Sequence, residues 1–165
     1  LHGVENLRSR LLKLVFVNSD GAVQVDFAAE WNGEFAITCS EFGTVLRQLY
    51  NLMGNAARHT ADRRISIRIF PTEPIEPLSL RLVVANTLTA TDRAKLSPSV
   101  LVKLWRGYTT TGSGLGLNAS AAIVGEAFGL DNPDQAIDLG YVGSRVTENG
   151  YICWIHWPLV IQDAV

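Results

Sequence analysis

Apolar residues recur along this chain with two different periods. Val4, Leu7, Leu11 and Leu14 follow a helical spacing and form one seam, which predicts a helix over Leu1 to Phe16. That helix either packs on its own domain or is the end of an upstream dimerisation helix, with the domain proper spanning 19–165. Asn18-Ser19-Asp20-Gly21 interrupts it with turn residues. A period of two then takes over at Val23, Val25 and Phe27. Phe35-Ala36-Ile37-Thr38-Cys39 follows the Asn32-Gly33 turn signal, so a hairpin is expected. Ser40 is placed to cap a helix from Glu41 to His59. Ile65, Ile67 and Ile69 alternate within a half-buried strand from Arg64 to Phe70, and the prolines at 71, 74 and 77 make an irregular connection. Leu80 to Ala85 reads as a second strand antiparallel to the first. Ser97-Pro98 opens a helix through Trp105, and an apolar helix follows Gly112 to Gly116 and ends near Gly129. The remaining strands are expected at Ala136 to Val142 and Tyr151 to Trp157, with Asn149-Gly150 as a tight turn. The order predicts an α+β fold, a two-layer sandwich with helices on one face of a mixed, mostly antiparallel sheet.

Composition narrows the class. With 165 residues, 47% apolar and 18% charged, the chain suits one domain with one core. Fourteen Lys+Arg against sixteen Asp+Glu give a net charge of −2. That balance argues against a nucleic-acid partner held by charge and against a polybasic membrane anchor. No apolar run reaches the length of a membrane span, and no signal-peptide pattern opens the chain. Two cysteines, Cys39 and Cys153, are too few for a disulfide framework and fit a reducing cytoplasm as small buried groups. The chain begins at Leu1 and its single methionine is Met53, which predicts a piece of a longer protein.

Two segments carry candidate chemistry. In the helix from Glu41 to His59, Phe42, Val45, Leu46, Leu49, Met53 and Ala56 fall on one side, while Asn51, Asn55, Arg58 and His59 cluster on the other. Asparagine is a poor helix former, so two of them one turn apart cost propensity unless their amides are used. Carboxamide oxygens can ligate a hard cation and Arg can meet phosphate, although a solvated polar face remains the plain reading. The second segment, Tyr108-Thr109-Thr110-Thr111-Gly112-Ser113-Gly114-Leu115-Gly116-Leu117, runs into a helix. Backbone N–H groups at a helix start bind anions, and glycines let the chain approach phosphate. The spacing is neither the dinucleotide fingerprint nor a Walker A loop.

Together the segments resemble the ATP-binding domain shared by sensor histidine kinases, DNA gyrase B, Hsp90 and MutL, a Bergerat-type fold. Leu49 to Thr60 (LYNLMGNAARHT) resembles the N box, and Gly112 to Leu117 (GSGLGL) the second glycine box. The similarity runs from about Ala22 to Leu159, where Trp157-Pro158-Leu159 resembles the closing strand. The resemblance implies that Asn55 ligates Mg²⁺ on the ATP phosphates with Asn51 alongside, that Arg58 contacts phosphate and that His59 supports it. It implies that Thr109, Thr110, Thr111, Gly112, Ser113, Gly114, Leu115, Gly116 and Leu117 surround the phosphates and close a lid from Thr91 to Thr111. Hydrolysing members carry a Glu one turn before the metal-binding Asn to activate water; here Asn51 stands there and cannot act as a base. The chain therefore resembles the histidine kinase branch and not the serine-directed anti-sigma kinases. The implied reaction is transfer of the γ-phosphoryl group to a histidine on an upstream dimerisation and phosphoacceptor domain. A response regulator lies downstream, and the parent is expected to be a bacterial cytoplasmic homodimer or the cytoplasmic part of a membrane-anchored one.

The pattern departs from the family at the first glycine box, D-x-G-x-G, where Asn86-Thr87-Leu88-Thr89-Ala90 stands. Asn86 can still accept from the adenine amino group. Leu88 and Ala90 add side chains where the family has glycine, which predicts weakened ATP binding. A nucleotide-weak or nucleotide-dead docking module is the competing expectation. His2 lacks the flanking acid of a phosphoacceptor, His156 is expected at a surface or satisfied strand position, and Trp31, Trp105, Trp154 and Trp157 are expected to pack in the core or at edges.

Overall fold

The computed structural model describes residues 2–30, 34–35, 39–72, 79–107 and 115–159. The chain order is β1 (His2–Gly3), α1 (Val4–Leu12), β2 (Phe16–Asn18), β3 (Gly21–Ala29), β4 (Glu34–Phe35), α2 (Cys39–His59), β5 (Arg64–Pro71) and β6 (Ser79–Thr87). Then come α3 (Ala90–Ala94), α4 (Pro98–Trp105), α5 (Leu115–Ala127), α6 (Pro133–Asp138), β7 (Val142–Val146) and β8 (Gly150–Pro158). Six strands form one sheet in the order β2-β3-β5-β6-β8-β7, and β1 pairs separately with β4. Only β3 and β5 run parallel, joined across the long helix α2; every other pair in the sheet is antiparallel. This is the α+β architecture that the element order predicts.

Alternation along the strands decides which side meets the helices. Ile65, Ile67 and Ile69 of β5 and Leu80, Leu82 and Val84 of β6 are buried on the inner face, where Leu49, Leu52, Met53 and Ala56 of α2 complete the core. Burying a side chain of this size stabilises the fold by about 1.5–3 kcal/mol. The buried stripe of α2 is wider than its periodicity suggested, since Leu52 and Ala57 join it while Leu46 is only partly buried.

Three expectations change. The first helix is shorter than Leu1 to Phe16: it ends at Leu12, and Phe16–Asn18 is a strand paired with Gly21–Val23. An aromatic and a β-branched residue beside a tight turn prefer the sheet. That turn is built by Asn18, whose Oδ1 accepts from the Asp20 N–H at 2.9 Å, and by Gly21 at φ +121°. Consequently the hairpin partner of β3 is the strand before it, while Glu34–Phe35 pairs with His2–Gly3. Asn32-Gly33 lies outside the described residues. Finally, Ala136 belongs to helix α6 and the strand begins only at Val142. Asn132 caps α6 through the Gln135 N–H with Pro133 in its first turn, the same signal that Ser97-Pro98 gives for α4.

Helix α2 begins at Cys39, so Ser40 falls inside its first turn. Trp105 and Trp157 are core residues, and Cys153 is buried, with burial pushing its thiol up to about 12. Trp31 and the side chain of Cys39 lie outside the described residues. His156 is not a surface residue: it is 2% exposed, its Nε2 accepts from Arg81 Nε at 2.8 Å, and its Nδ1 has no partner.

Candidate functional site

The polar residues of α2 lie in its C-terminal half, on the side turned from the core. Asn51 and Asn55 are half-buried, and Arg58 and His59 are exposed. Neither asparagine side chain is hydrogen-bonded to another described residue, so both carboxamides are available. Desolvation and the adjacent Arg58 charge hold the His59 imidazole below its ordinary pKa, partly opposed by Asp92 of α3.

The end of α2 is tied firmly to the end of β6. The Ala61 N–H donates to the Thr87 carbonyl at 3.2 Å. Asp62 accepts from the Thr60 hydroxyl at 3.0 Å, from the Thr87 hydroxyl at 2.9 Å and from the Arg64 N–H at 3.1 Å. Burial pushes the Asp62 carboxyl up, but these hydrogen bonds outweigh it and hold the group below its ordinary pKa. Asn18 adds a bond from its Nδ2 to the Ala57 carbonyl at 3.1 Å. Thr60 closes the segment that resembles the N box and Thr87 lies in the altered first glycine box, but neither was given a role, and Asp62 was not singled out. The only signal available was the short Thr-x-Asp-x-Arg run after the helix, a turn in which Asp62 accepts from the residue two ahead.

Asn86 sits beside this clasp, at the inner end of β6. It is 8% exposed; its Nδ2 donates to the Thr87 carbonyl at 2.8 Å, and its Oδ1 is buried without a partner. An unpaired buried acceptor costs about 1–3 kcal/mol, so it marks a place where a donor is missing. Strand β8 crosses closely here: a Cβ at Gly150 would overlap the Asn86 carbonyl oxygen, so only glycine fits. Leu88 is buried two residues further on, and its N–H donates to the Asn149 carbonyl at 3.1 Å.

Of the glycine-rich segment, Tyr108 to Gly114 lies outside the described residues, and with it Thr109, Thr110, Thr111, Gly112, Ser113 and Gly114. Leu115, Gly116 and Leu117 form the first turn of α5, and Gly116 is exposed with open space around it. A buried bond from Ser120 Oγ to Gln48 Oε1 at 2.5 Å joins α5 to α2, one helical turn from Leu117 on one side and from Asn51 on the other. The expected lid contains α3 and α4, capped by Thr89 and Ser97, and the Asn118 amide holds the Trp105 carbonyl at 3.1 Å. Among the described residues no three His, Cys, Asp or Glu side chains converge on a point. A cation here would be held by amide oxygens and phosphate, which suits a metal that keeps much of its own hydration.

No protein-family model matches the chain, and no curated protein is similar to it in sequence. Solved structures do match. Full-length ShkA in complex with AMPPNP is 20% identical with a TM-score of 0.60, covering 86% of this chain and 27% of that one. The chain has the fold of a histidine kinase catalytic domain. The mycobacterial sensor histidine kinase MprB (18% identity, TM-score 0.57) covers 83% of this chain and 82% of its own. The nucleotide-free catalytic domain of the histidine kinase ThkA (20%, 0.57) covers 83% and 80%. The chain spans about four fifths of the MprB and ThkA chains and about a quarter of full-length ShkA. Among the described residues no helix is long and apolar enough to cross a membrane.

Proposed function

We propose that this chain is the ATP-binding catalytic domain of a sensor histidine kinase, passing the ATP γ-phosphoryl group to a histidine on a separate upstream domain. The observation that carries the reading is the buried, unpartnered Oδ1 of Asn86. It is an acceptor at the end of a central strand, beside a helix carrying two unengaged carboxamides. An adenine amino group is a donor of the right kind, and the Asn86 Nδ2 keeps one hydrogen for a ring nitrogen. The AMPPNP bound to full-length ShkA, which shares this fold, supports a nucleotide as ligand.

The residues present fit ATP and Mg²⁺. Asn55 with Asn51 beside it would hold the metal, which supplies charge neutralisation across the phosphates. Arg58 meets phosphate charge, and His59, kept below its ordinary pKa, supports it as a neutral hydrogen-bonding ring. The first turn of α5 offers backbone N–H groups to an anion. Asn51 holds no proton-accepting charge, so water is not activated and the phosphoryl group is kept for the acceptor histidine. On this reading the parent is a bacterial homodimer that presents the domain in the cytoplasm and passes the phosphoryl group on to a response regulator.

A second reading, a nucleotide-weak or nucleotide-dead docking module, is favoured by one observation: the buried Leu88 side chain stands where the family's box has glycine. Calorimetry with Mg-ATP separates the two. Wild type releases binding heat and its melting midpoint rises, because ligand binds only the folded state, whereas Asn86→Ala loses both. No heat from wild type at millimolar ATP establishes the docking module instead. With the upstream domain added, radiolabelled ATP yields acid-labile phosphohistidine, and Asn55→Ala abolishes it.

A further inference from the structure

The sheet has a second face, and across its centre none of the described helices covers it. Residues paired across strands point the same way, so the register fixes what stands there. One row reads Arg68, Val83, Trp154 and Gly143; the row on one side holds Phe70, Arg81 and the buried His156, and the row on the other holds Ser66, Ala85, Ile152 and Arg145. All of them but Gly143 and His156 line a shallow cleft of about 480 Å³. Arg64 extends the same face along β5. Four arginines thus share one surface of a chain whose net charge is −2. None of them forms an ion pair with another described residue. The acids that follow this outward alternation among the described residues are Asp26 on β3 and Glu30 just past its end, where the Glu30 N–H donates to the Ile69 carbonyl at 2.8 Å.

The floor is built rather than incidental. The Trp154 indole packs against Gly143, where a Cβ would overlap the ring, and its Nε1 donates to the Gly140 carbonyl at 3.1 Å. The Arg81 guanidinium stands over the ring, 5.4 Å from its centroid, and is fixed by its Nε bond to the buried His156. Its terminal nitrogens have no partner among the described residues. Desolvation lowers the Arg81 pKa from its ordinary value, yet the group stays charged. A pinned, partly desolvated guanidinium over a tryptophan, ringed by apolar residues and further arginines, has the composition of a protein-binding hot spot.

We propose that this outer face docks an acidic, carboxylate-bearing segment of a partner protein, with apolar side chains between its acids. Charge complementarity selects that occupant. A second copy stacked face to face would set arginine against arginine. Single-stranded nucleic acid needs open aromatic faces for its bases; here the Trp154 ring packs against Gly143 and has the Arg81 guanidinium over it. The proposal does not depend on nucleotide binding.

A short fluorescein-labelled peptide of alternating glutamate and leucine, titrated with the whole chain at low salt, tests it by anisotropy. Wild type binds, and added salt weakens the complex. The same peptide with glutamine for glutamate binds about tenfold more weakly, as does the Arg68→Glu/Arg145→Glu variant with the original peptide. Both arginines are exposed, so the variant keeps its fold, and its Mg-ATP melting shift matches wild type; the milder Arg68→Gln/Arg145→Gln pair weakens binding in the same direction. Asn86→Ala leaves peptide binding intact. The proposal is overturned if the acidic peptide does not bind wild type, if the glutamine peptide binds equally well, if the arginine variants bind like wild type, or if oligothymidylate binds more tightly than the acidic peptide.

Discussion

The two faces of strand β6 show how one alternating segment serves two purposes. Leu80, Leu82, Val84 and Asn86 point inward beneath the helices; Arg81, Val83 and Ala85 point to the uncovered side. Inward, the apolar residues are fully buried and stability is concentrated there. At the end of that row the pattern breaks with a polar residue whose acceptor has no partner. Outward, the apolar residues are only partly covered and the arginines form no ion pair with another described residue. A buried polar group without a partner and a cluster of unpaired like charges are both unfavourable in isolation. On the readings proposed above, each is half of an interaction completed by something else, a nucleotide on one face and an acidic partner on the other. The difference lies in scale: one missing hydrogen bond on the inner face, a spread of charges on the outer.

Several substitutions can break or sharpen that contrast. Leu82→Ala removes a fully buried side chain and is expected to cost ~3 kcal/mol in urea unfolding, whereas the adjacent outward Val83→Ala costs under ~1 kcal/mol. Equal costs would mean that the outer face carries the core as well. Next, Gly150→Ala forces β8 away from the Asn86 carbonyl and is expected to destabilise by ~2 kcal/mol, with the Mg-ATP melting shift reduced as Asn86 moves.

His156 links the outer face to acid sensitivity. Desolvation and the Arg81 charge lower its pKa to about 4 in the folded chain, against an ordinary value of 6.5. As the pH falls from 6.5 toward 4 the unfolded chain takes up a proton that the folded chain refuses, so stability is lost over that window. The loss between about pH 7 and pH 4.5 is ~2 kcal/mol from this group. His156→Gln keeps an acceptor for Arg81 but does not titrate, and its urea midpoint should fall less over the same interval. The smallest change in stability is expected from Asn86→Leu, which deletes both the orphaned acceptor and one hydrogen bond. Unfolding should shift by less than ~1 kcal/mol while the Mg-ATP melting shift disappears. A retained shift would move the nucleotide away from the inner face.

The fold was legible where a period ran long enough to leave one reading. The isoleucines of β5, the apolar stripe of α2 and the Ser97-Pro98 start of α4 all stand where the residues predicted. Errors fell where a short apolar run admits either state, as at Phe16–Asn18 and Ala136. There the turn at Asn18–Gly21 and the Asn132-Pro133 cap decided the outcome. For the site, Asn51, Asn55, Arg58 and His59 were recognisable because amides are out of place on a helix surface. Thr60, Asp62 and Thr87 were not, since their contacts join residues up to 27 apart in the chain.

By itself the sequence determined the class of fold, the polar face of α2 and the glycine-rich entry to α5, all local patterns set by periodicity and propensity. Only the tertiary structure decided that Asn86 is buried with an unmet acceptor, that the turn after α2 is clasped to the neighbouring Thr87, and that four arginines share one face of the sheet. Those facts depend on strand order and register, which bring distant segments together, and no local pattern encodes which strand a given strand will pair with.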